Sequence, residues 1–321
     1  ATPVFIPKPI TENILLFDGL ARCGKMLVAP LVSQFPGIEY AQNVSTLNNL
    51  PVFWKLGQMD DRTTATFLRM CAGSCAYERA IGRHLNTRES DVYSVYRSLN
   101  SEEILARTDA GEGKDVITQH NVEKRISTFI THHHLPLAAP WFHAFPEVRF
   151  LVTVRHPIDV CYSWNTRGWG ERWGQDSLAF TTVADLDGKP IPWFGMEFHQ
   201  EYLDLKPLER IIKCVIALYR MYDEALDELD KLRHSQIKFV CFEHVAVDPV
   251  TELTQISDWL DTTLHPEMST AMERERVPRV LSKDERQKKR HEIEAGVEPY
   301  LMKQLLDLSE VYETRWHLDP L

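Results

Sequence analysis

The chain has no excess of basic side chains. Its 36 Lys and Arg stand against 46 Asp and Glu, a formal charge of −10. Proteins that track a nucleic-acid backbone show the opposite balance, so no nucleic-acid partner is expected, and any positive site must be local. Long apolar runs are missing too. The longest, residues 26–32 and 150–154, are far shorter than the roughly 20 residues that cross a bilayer. No basic-then-apolar leader opens the chain, so no transmembrane segment is expected. Zinc-type CxxC pairs are absent; Cys23, Cys71, Cys75, Cys161, Cys214 and Cys241 are scattered through apolar or motif segments. They read as reduced packing residues, which points to a cytoplasmic location. Repeats and low-complexity tracts are lacking. With 321 residues, 44% of them hydrophobic and 26% charged, the expectation is a single globular domain, 1–321, with insertions at about 60–105 and 168–198. Nothing in this pattern fixes an oligomeric state.

What is present is an alternation of strand and helix. Residues 13–18 (NILLFD) read as a buried strand, 19–25 as a glycine loop, and 26–35 as an apolar helix. Further strands are expected at 126–130, 148–154 and 237–242. Helices are expected at 157–164 and 207–232, the latter on the three-four spacing of Leu208, Ile211, Ile212, Val215, Tyr219 and Tyr222. Asp248 with Pro249 reads as an N-cap and first helical residue. Residues 60–105 look mainly helical, 168–198 look like an aperiodic loop or lid, and the Pro-rich 1–11 look extended. This order predicts an α/β fold, a parallel sheet with helices on both faces in three layers, with ligands at the carboxyl ends of its strands.

Two segments at such ends carry charge. Gly19-Leu20-Ala21-Arg22-Cys23-Gly24-Lys25-Met26 fits GxxxxGK up to its last position. Glycines allow a tight turn, backbone N–H groups and a helix N-terminus face an anion, and Arg22 and Lys25 add charge. A loop built for Mg-ATP carries Ser or Thr after the lysine to hold the metal. Met26 is a poor ligand for it, so the loop reads as an anion site needing no metal. The second segment, Arg155-His156-Pro157-Ile158-Asp159-Val160-Cys161-Tyr162-Ser163, follows the 148–154 strand. Arg155 sits at the strand end, and Ser163 lies about two turns into the next helix. A guanidinium fork and a hydroxyl can thus converge on one phosphate, with Asp159 in the first turn to hold Arg155.

With these residues in place, the chain resembles the PAPS-dependent sulfotransferases, PAPS being 3′-phosphoadenosine 5′-phosphosulfate. Their 3′-phosphate motif RxPxDxxxS is matched at Arg155, Pro157, Asp159 and Ser163. Their KTHLP segment is matched by His132-His133-His134-Leu135-Pro136, and a later YEDLxxDP-like segment by residues 242–249. The resemblance covers roughly residues 13–260. It implies a P-loop-type sheet, PAPS as donor with PAP as product, and metal-independent sulfuryl transfer to a hydroxyl or amine of a small-molecule or carrier-bound acceptor. It implies that Gly19–Met26 cradles the 5′-phosphosulfate, that Lys25 and Arg22 stabilise the leaving phosphate, and that Arg155 and Ser163 bind the 3′-phosphate. Lys283 and Arg286 would close over that phosphate, and His134 would be the general base, with His120 and Glu39 as weaker candidates. The sequence departs from the pattern at Lys25 and Met26, where hydroxyl residues are usual, and at His132, which replaces a lysine. Residues 40–43 (YAQN) offer amides where other members carry a glutamate base. The alternatives are a P-loop kinase using ATP, and an inactive PAP-binding protein on the same scaffold. Sulfation that activates an elimination gives the same sequence pattern. The acceptor is expected under residues 60–105 and 168–198, walled by Trp164, Trp169, Trp173, Trp193 and Phe194.

Overall fold

The computed structural model describes residues 8–320; most of the extended start expected at 1–11 lies outside them. Among these residues seven strands form: β1 (Ile14–Asp18), β2 (Gln42–Asn43), β3 (Ser127–Ile130), β4 (Arg149–Val154), β5 (Val183–Leu186), β6 (Lys189–Pro192) and β7 (Ile237–Cys241). Two compact units emerge. The first comprises residues 8–19, Gly24–Thr153 and Asp230–Arg279; the second comprises Leu20–Cys23, Val154–Leu229 and residues 280–320.

The first unit holds a five-stranded sheet in the order β2-β3-β1-β4-β7. The pairs β1–β3, β1–β4 and β2–β3 are parallel. A parallel strand with both faces covered needs an unbroken apolar run, and β1 supplies one: Ile14, Leu15, Leu16 and Phe17 are all buried. Each parallel link requires a crossover, here made by helices such as Lys25–Val32 and Ala138–Ala144. Asp248 caps the Pro249–Trp259 helix as expected, its Oδ1 accepting the Thr251 N–H at 3.2 Å.

The second unit is largely helical, built on Pro157–Asn165, Pro207–Glu228, Lys283–Glu294 and Pro299–Arg315. His156 caps the first of these, its Nδ1 accepting the Ile158 N–H at 3.3 Å. That fixes Nε2 as a donor, and it bonds Glu313 at 3.0 Å, tying in the last helix.

Two expectations need correction. Residues 168–198 are not an aperiodic lid: they contain the antiparallel hairpin β5–β6, turning through Asp187 and Gly188, both at positive φ. Asp-Gly is the pair that such a turn favours, so the signal was present in the sequence. Trp164, Trp173, Trp193 and Phe194 are buried against one another in edge and tilted contacts. They build the core of the second unit, although Trp173 also borders a cavity of about 270 Å³.

Candidate functional site

In the first unit the site begins at the end of β1. Asp18 is fully buried, a position that a carboxylate tolerates only when hydrogen-bonded. Its oxygens accept the N–H of His134 at 2.9 and 3.1 Å, the N–H of Leu135 at 2.8 Å and the hydroxyl of Thr131 at 3.0 Å. One carboxylate therefore shapes the turn that follows β3 and sets its three histidines beside β1.

The loop after β1 opens and closes on glycine. Gly19 has φ 129° and Gly24 φ 110°. Gly24 is the N-cap of the Lys25–Val32 helix, whose first N–H groups have no carbonyl within the helix itself to bind. Lys25 is buried, and its ammonium donates to the Gly19 carbonyl, which also accepts the His133 N–H at 3.3 Å. Met26 offers no hydroxyl, and its sulfur accepts from the Tyr93 hydroxyl.

The histidines differ sharply. His134 is fully buried; its Nδ1 accepts the Trp141 indole N–H at 2.9 Å and its Nε2 donates to the Asn48 carbonyl at 3.1 Å. Both nitrogens of the residue expected to be the base are thus engaged inside the protein. His132 is half-buried, with its backbone N–H on Asn48 Oδ1 at 3.0 Å and its Nδ1 3.4 Å from the same oxygen. Its Nε2 has no hydrogen-bond partner among the described residues. Burial holds all three rings below the usual histidine range, His133 at about 3; the charge of Lys25 adds to it for His132 and His133, while Asp18 and the Asn48 carbonyl oppose it at His134. They are neutral at pH 7.

Glu39 and His120, the weaker candidates, are elsewhere in this unit. Glu39 is buried and gripped by Arg107 at 2.7 and 3.1 Å and by Arg125 at 3.3 Å. Burial works to raise its pKa, but these guanidinium groups prevail and hold it at about 2. Such a carboxylate is a poor base. His120 is buried, and burial lowers its pKa.

The second unit gathers the other anion residues. Arg155 Nη1 donates to the Arg22 carbonyl at 3.2 Å, and the Arg155 carbonyl accepts from the Tyr219 hydroxyl. The Ala21 carbonyl accepts the Trp164 indole at 2.8 Å, and the Leu20 carbonyl accepts the Cys23 N–H at 3.2 Å. Three successive carbonyls are thereby tied to protein donors.

Ser163 Oγ accepts from Arg22 Nε at 3.4 Å and from Arg167 Nη1 at 3.0 Å, leaving its own O–H to donate. Arg22, expected at the leaving group, therefore has its guanidinium on Ser163. One turn earlier Asp159 binds Arg286 at 2.9 Å and Lys289 at 2.6 Å. Burial opposes its charge, but Arg155, Arg286 and Lys289 together hold its pKa low. Lys283, expected over the phosphate, is exposed at the first position of its helix.

Sequence reasoning missed Arg167 and did not single out Lys289 within the basic segment 282–290. Lys289 lies one turn from Arg286, and Arg167 four residues from Ser163, so helical spacing carried both signals. Asn48 and Trp141, which fix the histidines, left no local trace. Among the described residues no group of three or more His, Cys, Asp or Glu is placed to hold a metal, and no helix is long and apolar enough to cross a membrane.

No protein-family model matches the chain, and neither does any curated protein. Among solved structures it is similar to the sulfotransferase domain of an olefin synthase from Synechococcus PCC 7002, at 11% identity and TM-score 0.48 over 97% of this chain and 98% of that one. It is similar to sulfotransferase STF9 from Mycobacterium avium, at 10% identity and TM-score 0.46 over 98% and 79%. A sulfotransferase from Alicyclobacillus acidocaldarius gives 15% identity and TM-score 0.43 over 98% of each chain.

Proposed function

We propose that this chain is an enzyme that transfers a sulfuryl group from PAPS to a hydroxyl of a small-molecule or carrier-bound acceptor. The observation that carries the reading is the cluster on Ser163 and Asp159. Arg22 and Arg167 bind the Ser163 hydroxyl, Arg155 binds the Arg22 carbonyl, and Arg286 and Lys289 bind the carboxylate of Asp159 one turn away. Such an excess of fixed cations in an acidic protein is suited to a multiply charged anion, and the 3′-phosphate of PAPS is one. The order of Arg155, Pro157, Asp159 and Ser163 is the motif that binds that phosphate in the family the sequence resembles.

In the transfer, the acceptor oxygen forms a bond to sulfur as the bond from sulfur to the phosphate oxygen of PAP breaks. The developing negative charge falls to the loop 19–26, where Lys25 and the helix N-terminus lie. Positioning and charge supply most of the rate in such displacements. We assign the acceptor proton to His132 rather than to His134. A base needs an available lone pair, and His134 has committed Nδ1 to Trp141 and Nε2–H to Asn48. With Nδ1–H toward Asn48 Oδ1, His132 keeps its Nε2 lone pair, and burial, which lowers its pKa as it does that of its neighbours, makes it a weak base that is neutral and ready to accept. His134 then acts as a strut of the turn.

Thermal stabilisation tests the donor site. PAP alone, without Mg²⁺, should raise the melting temperature, whereas AMP, which lacks the 3′-phosphate, should do so far less. Arg155→Ala and Ser163→Ala should remove the difference. A shift with Mg-ATP but not with PAP would make the site a kinase's and overturn the proposal. For the base, His132→Ala should lower turnover by roughly 100-fold or more with PAP binding intact, and His134→Ala should chiefly lower stability. Unchanged turnover in His132→Ala sinks that assignment.

A further inference from the structure

The first unit holds a cavity of about 180 Å³ alongside β2, below the roughly 300 Å³ at which pockets for drug-sized ligands begin. Its inner wall is apolar, made by Tyr40, Val95 and Ile104, with Leu85 packed against them. Arg79, at the end of the Asp61–Ala80 helix, lines the same space and is only 5% exposed. Its guanidinium lies over the Phe129 ring and donates through Nη2 to Gln42 Oε1 at 2.6 Å and to the Thr128 carbonyl at 3.4 Å. These acceptors are neutral. Two carboxylates line the same cavity and are hydrogen-bonded to other groups: Glu39 to Arg107 and Arg125, and Asp91 to the Asn86 amide and the Tyr93 N–H, while the charge of Glu39 also acts on Arg79. Arg79 Nη1 is buried and has no hydrogen-bond partner among the described residues.

A buried guanidinium that hydrogen-bonds only neutral oxygens and keeps a donor unmade is costly to the fold unless a ligand uses it, even with the charge of Glu39 close by. A ligand carboxylate supplies the acceptor that Nη1 lacks. The wall also reaches the machinery described above. Tyr93 hydrogen-bonds Met26, and the exposed Asn43 at the mouth accepts from Asn48, which holds His132 and His134.

We propose that this cavity binds a small carboxylate-bearing molecule with a short apolar body, Arg79 being its anion anchor. Its role as the sulfuryl acceptor rests on the transfer reading. The test is calorimetric titration of the full chain with 4-hydroxybutyrate, 6-hydroxyhexanoate and 3-hydroxybenzoate, each beside its methyl ester, with PAP titrated in parallel. At least one acid should bind on the order of tenfold tighter than its ester, as a charge-assisted hydrogen bond requires. Arg79→Gln should abolish the preference. Leu85→Trp, which fills the half-buried wall, should abolish acid binding while PAP binding persists, and it decides the matter if Arg79→Gln does not fold. No acid preferred over its ester, or acid binding unchanged in Leu85→Trp, overturns the proposal. Acid binding without PAP binding supports the cavity assignment and refutes sulfuryl transfer; PAP binding without acid preference does the reverse.

Discussion

At Gly24 the backbone has φ 110°, and a Cβ would lie 2.3 Å from Cδ2 of Phe242. Either fact alone disfavours a side chain there: the first costs conformational strain, the second a clash with a ring that is itself buried. The two costs are separable. Gly24→Ala should destabilise the first unit by about 2–3 kcal/mol, and Phe242→Ala by about 3 kcal/mol through lost burial. In the double variant the clash is gone but the strain remains, so the summed single effects should exceed the measured one by about 1 kcal/mol or more. Urea denaturation of the four proteins measures this coupling. Strict additivity would show that the ring does not confront the loop. The glycine was legible in the GxxxxGK pattern; its partner was not, because 218 positions of chain separate Gly24 from Phe242 and only the fold brings them together.

Elements were legible where their period was. Pro207–Glu228 was read from its three-four spacing, and Pro157–Asn165 from the proline at its first position. Two-residue β2 escaped, since Gln42 and Asn43 show no alternation. They pair with Phe129 and Ile130 through backbone geometry that the sequence does not display. The helix Lys283–Glu294 was visible only as a basic segment, and which of its cations matter depends on which face meets Asp159. Arg286 and Lys289 are one turn apart and share that face; Lys283 does not bind it. Asp159 is buried beside both, so Asp159→Ala leaves two cations without their carboxylate and should cost on the order of 3 kcal/mol. The loss should be local. Hydrogen exchange should show reduced protection of the amides in Lys283–Glu294 with little change in Pro207–Glu228, and PAP should stabilise the variant less than the native chain. Protection unchanged in Lys283–Glu294 would mean that apolar packing, not this ion cluster, holds the helix.

For the chain as a whole, the alternation of strands and helices sufficed to foresee the parallel sheet, because β1 and β4 carry apolar runs that a covered sheet accommodates. The ionisation of the site was not legible. Three consecutive histidines look like a polar or metal-binding tract in sequence, yet burial keeps His132, His133 and His134 neutral. That difference governs how the protein responds to acid. Unfolded, each histidine takes up a proton near pH 6.5; folded, His133 does so only near 3. Between those values the unfolded chain binds more protons, so stability falls as pH falls. By pH 5, His133 alone accounts for about 2 kcal/mol, and its two neighbours act in the same direction. Glu39 adds a second window: its carboxylate is held at about 2 against an ordinary 4.5, so its contribution is complete above pH 4.5 and is lost as the pH approaches 2. Urea denaturation between pH 7 and pH 5 should therefore show a steady loss of unfolding free energy, and His133→Asn should reduce that slope, with the buried His156, also held at about 3, keeping part of it. A stability profile level from pH 7 to pH 5 would mean that the histidine turn opens to solvent in the native state, and with it the assignment of His134 as a fixed strut would fail.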